Sequence, residues 1–239
     1  MFDPEQQSLN HLLAALPQDE LNAWQSELQN VQLVAGQVLY ESGTCMTHVF
    51  FPTTAVISLM HILEDGGSTE IAMTGHEGMV GISVFMGGES TLSRGVVQRA
   101  GHSYKLRTAF IKQAFHRSPA VMHLMLRYTQ AIITQMSQIA VCNRHHTILQ
   151  QLSRWLLLNL DRVSETELIV THESIAQALG VRREGITKAA GSLQEEGLIR
   201  YTRGHLFVQD RAGLEAHTCE CYGVIKHEYD RLLPQLTAT

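Results

Sequence analysis

The sequence predicts an α+β chain in three parts, with short strands in front, one long helix in the middle, and a helix pair followed by a hairpin at the back. Three observations carry that prediction. Alternating or apolar runs broken by glycine fill Val31 to about Leu106, and an apolar repeat at spacings of three and four follows Ser118 to about Asn143. The third is Thr171 to Asp210, THESIAQALGVRREGITKAAGSLQEEGLIRYTRGHLFVQD, which holds two helical stripes around a glycine and then two alternating runs. The expected divisions are 1–117, a strand-rich domain with N-terminal helices; 118–143, the long helix; and 144–239, the helical domain with its hairpin and a C-terminal helix.

In the strand-rich part, VLYESG, HVFFPTTAVISLM, STEIAMTGHEGMVGI and RGVVQRAGHSYKL read as short strands of a roll or barrel. Gly36 and Gly43 bracket a strand at Val38, Leu39 and Tyr40, and Asp65 with Gly66 marks a hairpin turn. Ser118 and Pro119 suit a helix start, with the hydroxyl as cap and proline at the first helical position. Within that helix Met125, Tyr128, Ile132, Gln135, Ile139 and Cys142 recur as the seam of a two-stranded coiled coil. The same stripe could instead face the chain's own core. A further amphipathic helix is expected from about Thr147 to Asp161, with Leu149, Leu152, Leu156 and Leu160 inward and Trp155 on its flank.

The spacing from Thr171 onward is that of a winged helix-turn-helix. Thr171 caps a first helix, Glu173 sits where the helix dipole favours an acid, and Ile175, Ala176 and Leu179 form its stripe. Gly180 supplies the left-handed turn, after which Ile186, Ala189, Ala190 and Leu193 line one face of a second helix. Ala176 leaves room for the two helices to cross. Arg182 and Arg183 project from the second helix's first turn, and Glu184 and Lys188 lie opposite its apolar face. These residue types contact phosphates and base edges. After Gly197, Leu198–Tyr201 and Leu206–Val208 alternate around Thr202, Arg203 and Gly204, which places Arg203 and His205 near the tip of a wing.

These residues resemble the Crp/Fnr-type transcription regulators of the cyclic-AMP receptor protein superfamily. That family's recognition helix opens on a small hydroxyl residue, then Arg and Glu, with a basic residue four positions after the Glu. Arg183, Glu184 and Lys188 stand at the last three positions, and Arg182 replaces the hydroxyl residue. Gly185 replaces a bulkier residue, at a cost of about 1 kcal/mol in helix propensity. The resemblance implies that Arg183 and Lys188 donate to guanine edges or phosphates and that Glu184 accepts from cytosine. With Thr171, Arg182, Arg203 and His205 they make up the expected DNA-binding set.

The strand-rich half resembles the family's cyclic-nucleotide-binding β-roll, so the resemblance covers nearly the whole chain. It implies a homodimer on a near-palindromic operator of double-stranded DNA, with its recognition helices about 34 Å apart, and RNA polymerase as a partner. It also implies an effector pocket of Gly81, Ile82, Arg94 and Gly95, with Thr134, Ser137 and Thr129 from the long helix. In nucleotide-binding members a Glu follows the Gly and holds the ribose; Ile82 stands there and accepts no hydrogen bond, which costs about 1 to 3 kcal/mol. A cyclic nucleotide is therefore disfavoured, with Glu77 and Glu89 as substitute acids. A different small ligand, or none, is the other reading, and no cofactor is assigned. Effector identity stays open.

The net charge of -5 contrasts with the segment Gly180–Leu206, where five Lys or Arg face three acids. A second reading keeps the ligand-sensing half and makes the C-terminal domain a protein-interaction surface. The N-terminal MFDPEQQSLN lacks the regions of a signal peptide and no apolar run suits a bilayer, so a cytoplasmic location without membrane contact is expected. An enzyme is not expected: nucleophile elbow, HExxH and phosphate-binding loop are all missing. Cys45, Cys142, Cys219 and Cys221 suggest reduced thiols, and no cysteine precedes Cys45 as the family's iron–sulfur members require. The HTCEC motif of His217, Cys219 and Cys221 looks like a ligand set, but residues two apart on a helix diverge, so no metal is assigned.

Overall fold

The structure is a computed structural model that describes residues 9–163 and 166–233. Residues 1–8, most of the N-terminal segment read above, lie outside it. The chain forms two compact units: one takes in the residues up to Leu59, Met73–Thr134 and those from Glu228, and the other takes in Met60–Ala72 and Gln135–His227.

In the first unit, α1 (His11–Ala14) and α2 (Gln18–Gln25) lead into the strands. Buried Asn10 caps α1 through the Leu13 N–H and donates to the carbonyls of Pro52 and Gly78. One sheet runs β1 (Gln29–Leu33), β7 (Gly101–Arg107), β3 (His48–Pro52), antiparallel throughout. The other runs β2 (Val38–Tyr40), β6 (Arg94–Arg99), β4 (Val56–Ile62), β5 (Ser68–Thr74). These strands form the expected β-roll. Trp24, Phe51, Ile57, Met73, Tyr104 and Leu106 are buried in it, with Trp24 edge-on to Phe51 and to Phe110.

After α3 (Thr108–Arg117) comes the long helix α4 (Pro119–His145), about 40 Å at 1.5 Å per residue. Met125, Tyr128, Ile132, Gln135, Ile139 and Cys142, expected as a seam between two chains, are all buried within this one. The Tyr128 hydroxyl donates to the Met79 carbonyl at 2.8 Å, Gln135 accepts from Arg162, and Cys142 lies against Cys219. Three-and-four spacing marks an inward stripe without saying whose interior it faces. On the other side of α4, Leu126, Ile133 and Val141 are 46, 48 and 46 % exposed at steps of seven and eight residues.

The second unit contains α5 (Ile148–Leu160), β8 (Glu167–Ile169), α6 (His172–Leu179), α7 (Arg183–Glu195), β9 (Ile199–Thr202), β10 (His205–Val208), α8 (Arg211–His217) and α9 (Glu220–Leu232). Thr147 and Gln150 close a capping box at the start of α5, whose buried residues are Leu152, Leu156, Leu157, Leu158 and Leu160 together with Gln151, Ser153, Arg154, Trp155 and Asn159. Leu152, Leu156, Ile175, Ile186, Leu193, Ile199 and Leu206 are buried here. The order β8–β10–β9 makes the hairpin a three-stranded sheet. The end of the β4–β5 hairpin groups with this unit: the buried Glu70 carboxylate accepts from Trp155 Nε1 at 3.2 Å, and Thr69 Oγ1 donates to the Ala178 carbonyl.

Candidate nucleic-acid interface

The helix pair is set by local chemistry. Thr171 Oγ1 accepts from the Ser174 N–H at 3.0 Å, and the Ser174 hydroxyl answers the Thr171 N–H at 3.0 Å, so both ends of the box satisfy amides that would otherwise lack partners. Gly180 closes α6 at φ +64, a left-handed turn that a side chain would strain. Arg182 occupies the N-cap of α7 with its side chain uncommitted to capping. Ile186, Ala189, Ala190 and Leu193 turn inward, while Arg182, Arg183, Glu184, Thr187 and Lys188 are exposed. The expected reading face of α7 is therefore solvent-facing. Gly185 is explained by packing: a Cβ there would come within 2.6 Å of Ile148 Cδ1, so its absence seats α5 close to α7.

The wing is a two-residue hairpin. His205 pairs with Thr202, leaving Arg203 and Gly204 as the turn, both at positive φ (+50 and +87), which is the type I′ pattern. Arg203 is exposed at the tip, as expected. His205 is exposed beside it, but its Nδ1 lies 2.5 Å from Glu167 Oε1 on β8, so a neighbouring acid already engages it. Thr171 likewise uses its hydroxyl as a cap. On β9, Arg200 lies over the Phe207 ring at 4.7 Å.

Sequence reasoning missed His172, which ties the reading helix to the wing. Its ring stacks on Tyr201 at 4.4 Å, its Nδ1 lies 3.1 Å from Thr187 Oγ1, and the Tyr201 hydroxyl donates to the Val170 carbonyl. The Thr187 hydroxyl proton goes to the Arg183 carbonyl, so Nδ1–H of the imidazole is the donor, and buried Nε2 has no hydrogen-bond partner among the described residues. Burial first, and then the Arg183 charge, hold this histidine below its usual pKa. Its only advance signal was its place directly after the cap.

Ile82 opens a 3-10 turn after Gly81, and the space beside Gly81 is filled by Val49 and Met46. The space beside Gly95 is filled by the Tyr40 ring, and Arg94 is paired with Glu41 at 2.9 Å. Glu89 is paired with Lys112, which holds its carboxyl below the usual range, and Glu77 accepts from the Gly75 N–H. The roll does contain a cavity of about 380 Å3, bordered by Leu33, Tyr40, Met46, His48, Phe50 and Lys105. Gly81, Ile82, Arg94, Gly95, Thr134 and Ser137 do not border it.

HTCEC departs from its sequence reading. Cys219 precedes α9 and only Cys221 is in its first turn, so the two side chains converge instead of diverging. Cys142, His146, Cys219 and Cys221 bring their donor atoms within 4.8 Å of one another, and His217 pairs with Glu196 instead. Burial pushes the Cys142 thiol up to about 11 and the Cys221 thiol up to about 12.

A capped helix pair with an exposed basic face and a wing defines a helix-turn-helix module. Residues 150–217 match the family model of the Crp-like helix-turn-helix domain. The chain therefore carries a Crp-like helix-turn-helix domain C-terminal to a β-roll. The global nitrogen regulator of Synechococcus elongatus is 21 % identical over 190 residues, 75 % of this chain and 85 % of that protein. Among solved structures, a Crp/Fnr-family protein from Eubacterium rectale superposes with a TM-score of 0.69 at 17 % identity, covering 87 % of this chain and 98 % of that one. A CRP-family transcriptional regulator from Thermus thermophilus gives 0.66 at 18 %, covering 78 and 95 %. The c-di-GMP responsive global regulator CLP of Xanthomonas campestris gives 0.64 at 12 %, covering 81 and 100 %. At these identities the structural likenesses establish the fold.

Proposed function

We propose that the protein binds a near-palindromic operator as a homodimer, with α7 in the major groove. Arg183 and Lys188 donate to guanine edges or phosphates, Glu184 accepts from cytosine, and Arg182, Arg203 and the Thr171 backbone hold the phosphates. The observation that carries this is the joint exposure of Arg182, Arg183, Glu184 and Lys188 on one helix whose opposite face is buried. Functionally, 1–117 is the sensor, 118–143 the dimerisation helix and 144–239 the DNA-binding domain. Its work is cytoplasmic, and RNA polymerase is the partner that DNA binding recruits or blocks.

The dimer forms along the outer side of α4. Leu126, Ile133 and Val141 keep a near-heptad step and lie exposed, whereas the stripe one residue away is already covered. The roll does not take a cyclic nucleotide through its cassette: Ile82 offers no acceptor to a ribose, and Arg94 is committed to Glu41. An electrophoretic titration against genomic fragments, with excess unrelated DNA, tests the reading. A few fragments should hold the protein against competitor; equal displacement from every fragment contradicts sequence-specific binding.

A further inference from the structure

We propose that Cys142, His146, Cys219 and Cys221 form a structural zinc site. Cys142 lies in the last turn of α4 and His146 directly follows that helix, its N–H donating to the Cys142 carbonyl at 3.0 Å, so the two side chains leave on one side. Cys219 and Cys221 flank the start of α9 and come to meet them. The Cys142 and Cys219 sulfurs are 3.5 Å apart, and Cys221 Sγ is 3.6 Å from His146 Nδ1. A tetrahedron with Zn–S near 2.3 Å and Zn–N near 2.0 Å has edges of about 3.5 to 3.8 Å, which those two separations match. The three thiols are buried and the imidazole is half-buried, so four protein donors close the coordination sphere, as in structural rather than catalytic zinc sites.

The surroundings supply what such a centre needs. His146 would bind through Nδ1, and its Nε2 lies 3.4 Å from the Glu220 carboxylate, the carboxylate–histidine arrangement that fixes tautomer and ring orientation. On binding, the three thiols release their protons to solvent as three S–Zn bonds form, neutral His146 adds a lone pair, and no electron is transferred. The centre then carries a charge of -1. Arg154, buried in α5 against Cys142, supplies the compensating positive charge, and its Nε makes no hydrogen bond among the described residues. The same cation would tie the end of α4 to the start of α9. Bonding Cys142 to Cys219 as a disulfide, the competing fate of two adjacent thiols, would require the sulfurs to close to about 2.05 Å.

The test uses the full chain, purified reduced, without chelator and without a histidine tag. Elemental analysis should find about one zinc per chain. Replacement by cobalt(II) should produce thiolate-to-cobalt charge-transfer absorption together with tetrahedral d–d bands. Cys221→Ser should abolish stoichiometric retention. Because that variant could fail to fold, Glu220→Gln serves beside it: Glu220 is exposed, so its fold should persist while zinc affinity falls about tenfold. Folded, reduced wild-type protein that takes up neither zinc nor cobalt overturns the proposal. So does metal-free native protein carrying a Cys142–Cys219 disulfide in its intact mass.

Discussion

His172 shows how one side chain sets the conditions under which the reading helix is held. Its folded pKa lies below the usual 6.5, through burial and then the charge of Arg183. An unfolded chain therefore binds more protons there as pH falls, and the stability this neutral imidazole provides is present above about pH 6.5 and lost below it. His11 and His48 act with the same sign, burial being the largest cause in each. Urea midpoints should drop between about pH 7.5 and about pH 5.5, and His172→Asn should flatten that dependence. An unchanged slope in the variant would remove His172 from the account. Arg203, at the wing tip, should behave as a phosphate contact: Arg203→Ala should weaken every DNA sequence alike and reduce the salt slope by about 1. Base-selective loss would contradict that role. At this scale exposed cations were legible because side-chain type and helical phase suffice to place them. His172 and Glu167 were not, since stacking on Tyr201 and pairing with His205 depend on strand register.

Elements were legible where their stop signals are local. Thr171, Gly180 and the turn at Arg203 and Gly204 each fix an end by their own backbone or hydroxyl chemistry, and each was found where expected. Thr171→Ala should therefore cost about 1 kcal/mol of stability, measured by denaturant unfolding, because it deletes the acceptor for the Ser174 N–H. A loss near zero would mean water replaces the cap. The long helix was legible as a helix but not as an interface. Apolar residues occupy more than one of its faces, and only tertiary packing decides that Tyr128 and Ile132 point inward while Leu126 and Ile133 point out. Leu126→Asp with Ile133→Asp should yield monomers by light scattering at concentrations where the wild type is dimeric; a persisting dimer would place the interface elsewhere.

Across the whole molecule, the two functional halves differ in how far sequence reaches. The DNA-binding domain is built from contiguous segments, so forty residues announced it. The roll's interior is assembled from strands far apart in the chain, so the filled spaces beside Gly81 and Gly95 and the Arg94–Glu41 pair had no linear signature. The cysteine cluster belongs with these, since Cys142 and Cys219 meet across 77 residues. Cyclic AMP and cyclic GMP should leave the melting temperature unchanged, because a ligand that binds the folded state must raise it. A rise that Arg94→Ala removes would restore the cassette. The most direct test of the central claim is the affinity of wild type and Arg183→Ala for a complete set of single-base operator variants, by fluorescence anisotropy at fixed salt. Loss of about 1 to 3 kcal/mol, concentrated at the same base of each half-site, is the predicted result. An equal loss at every variant would contradict base reading by α7.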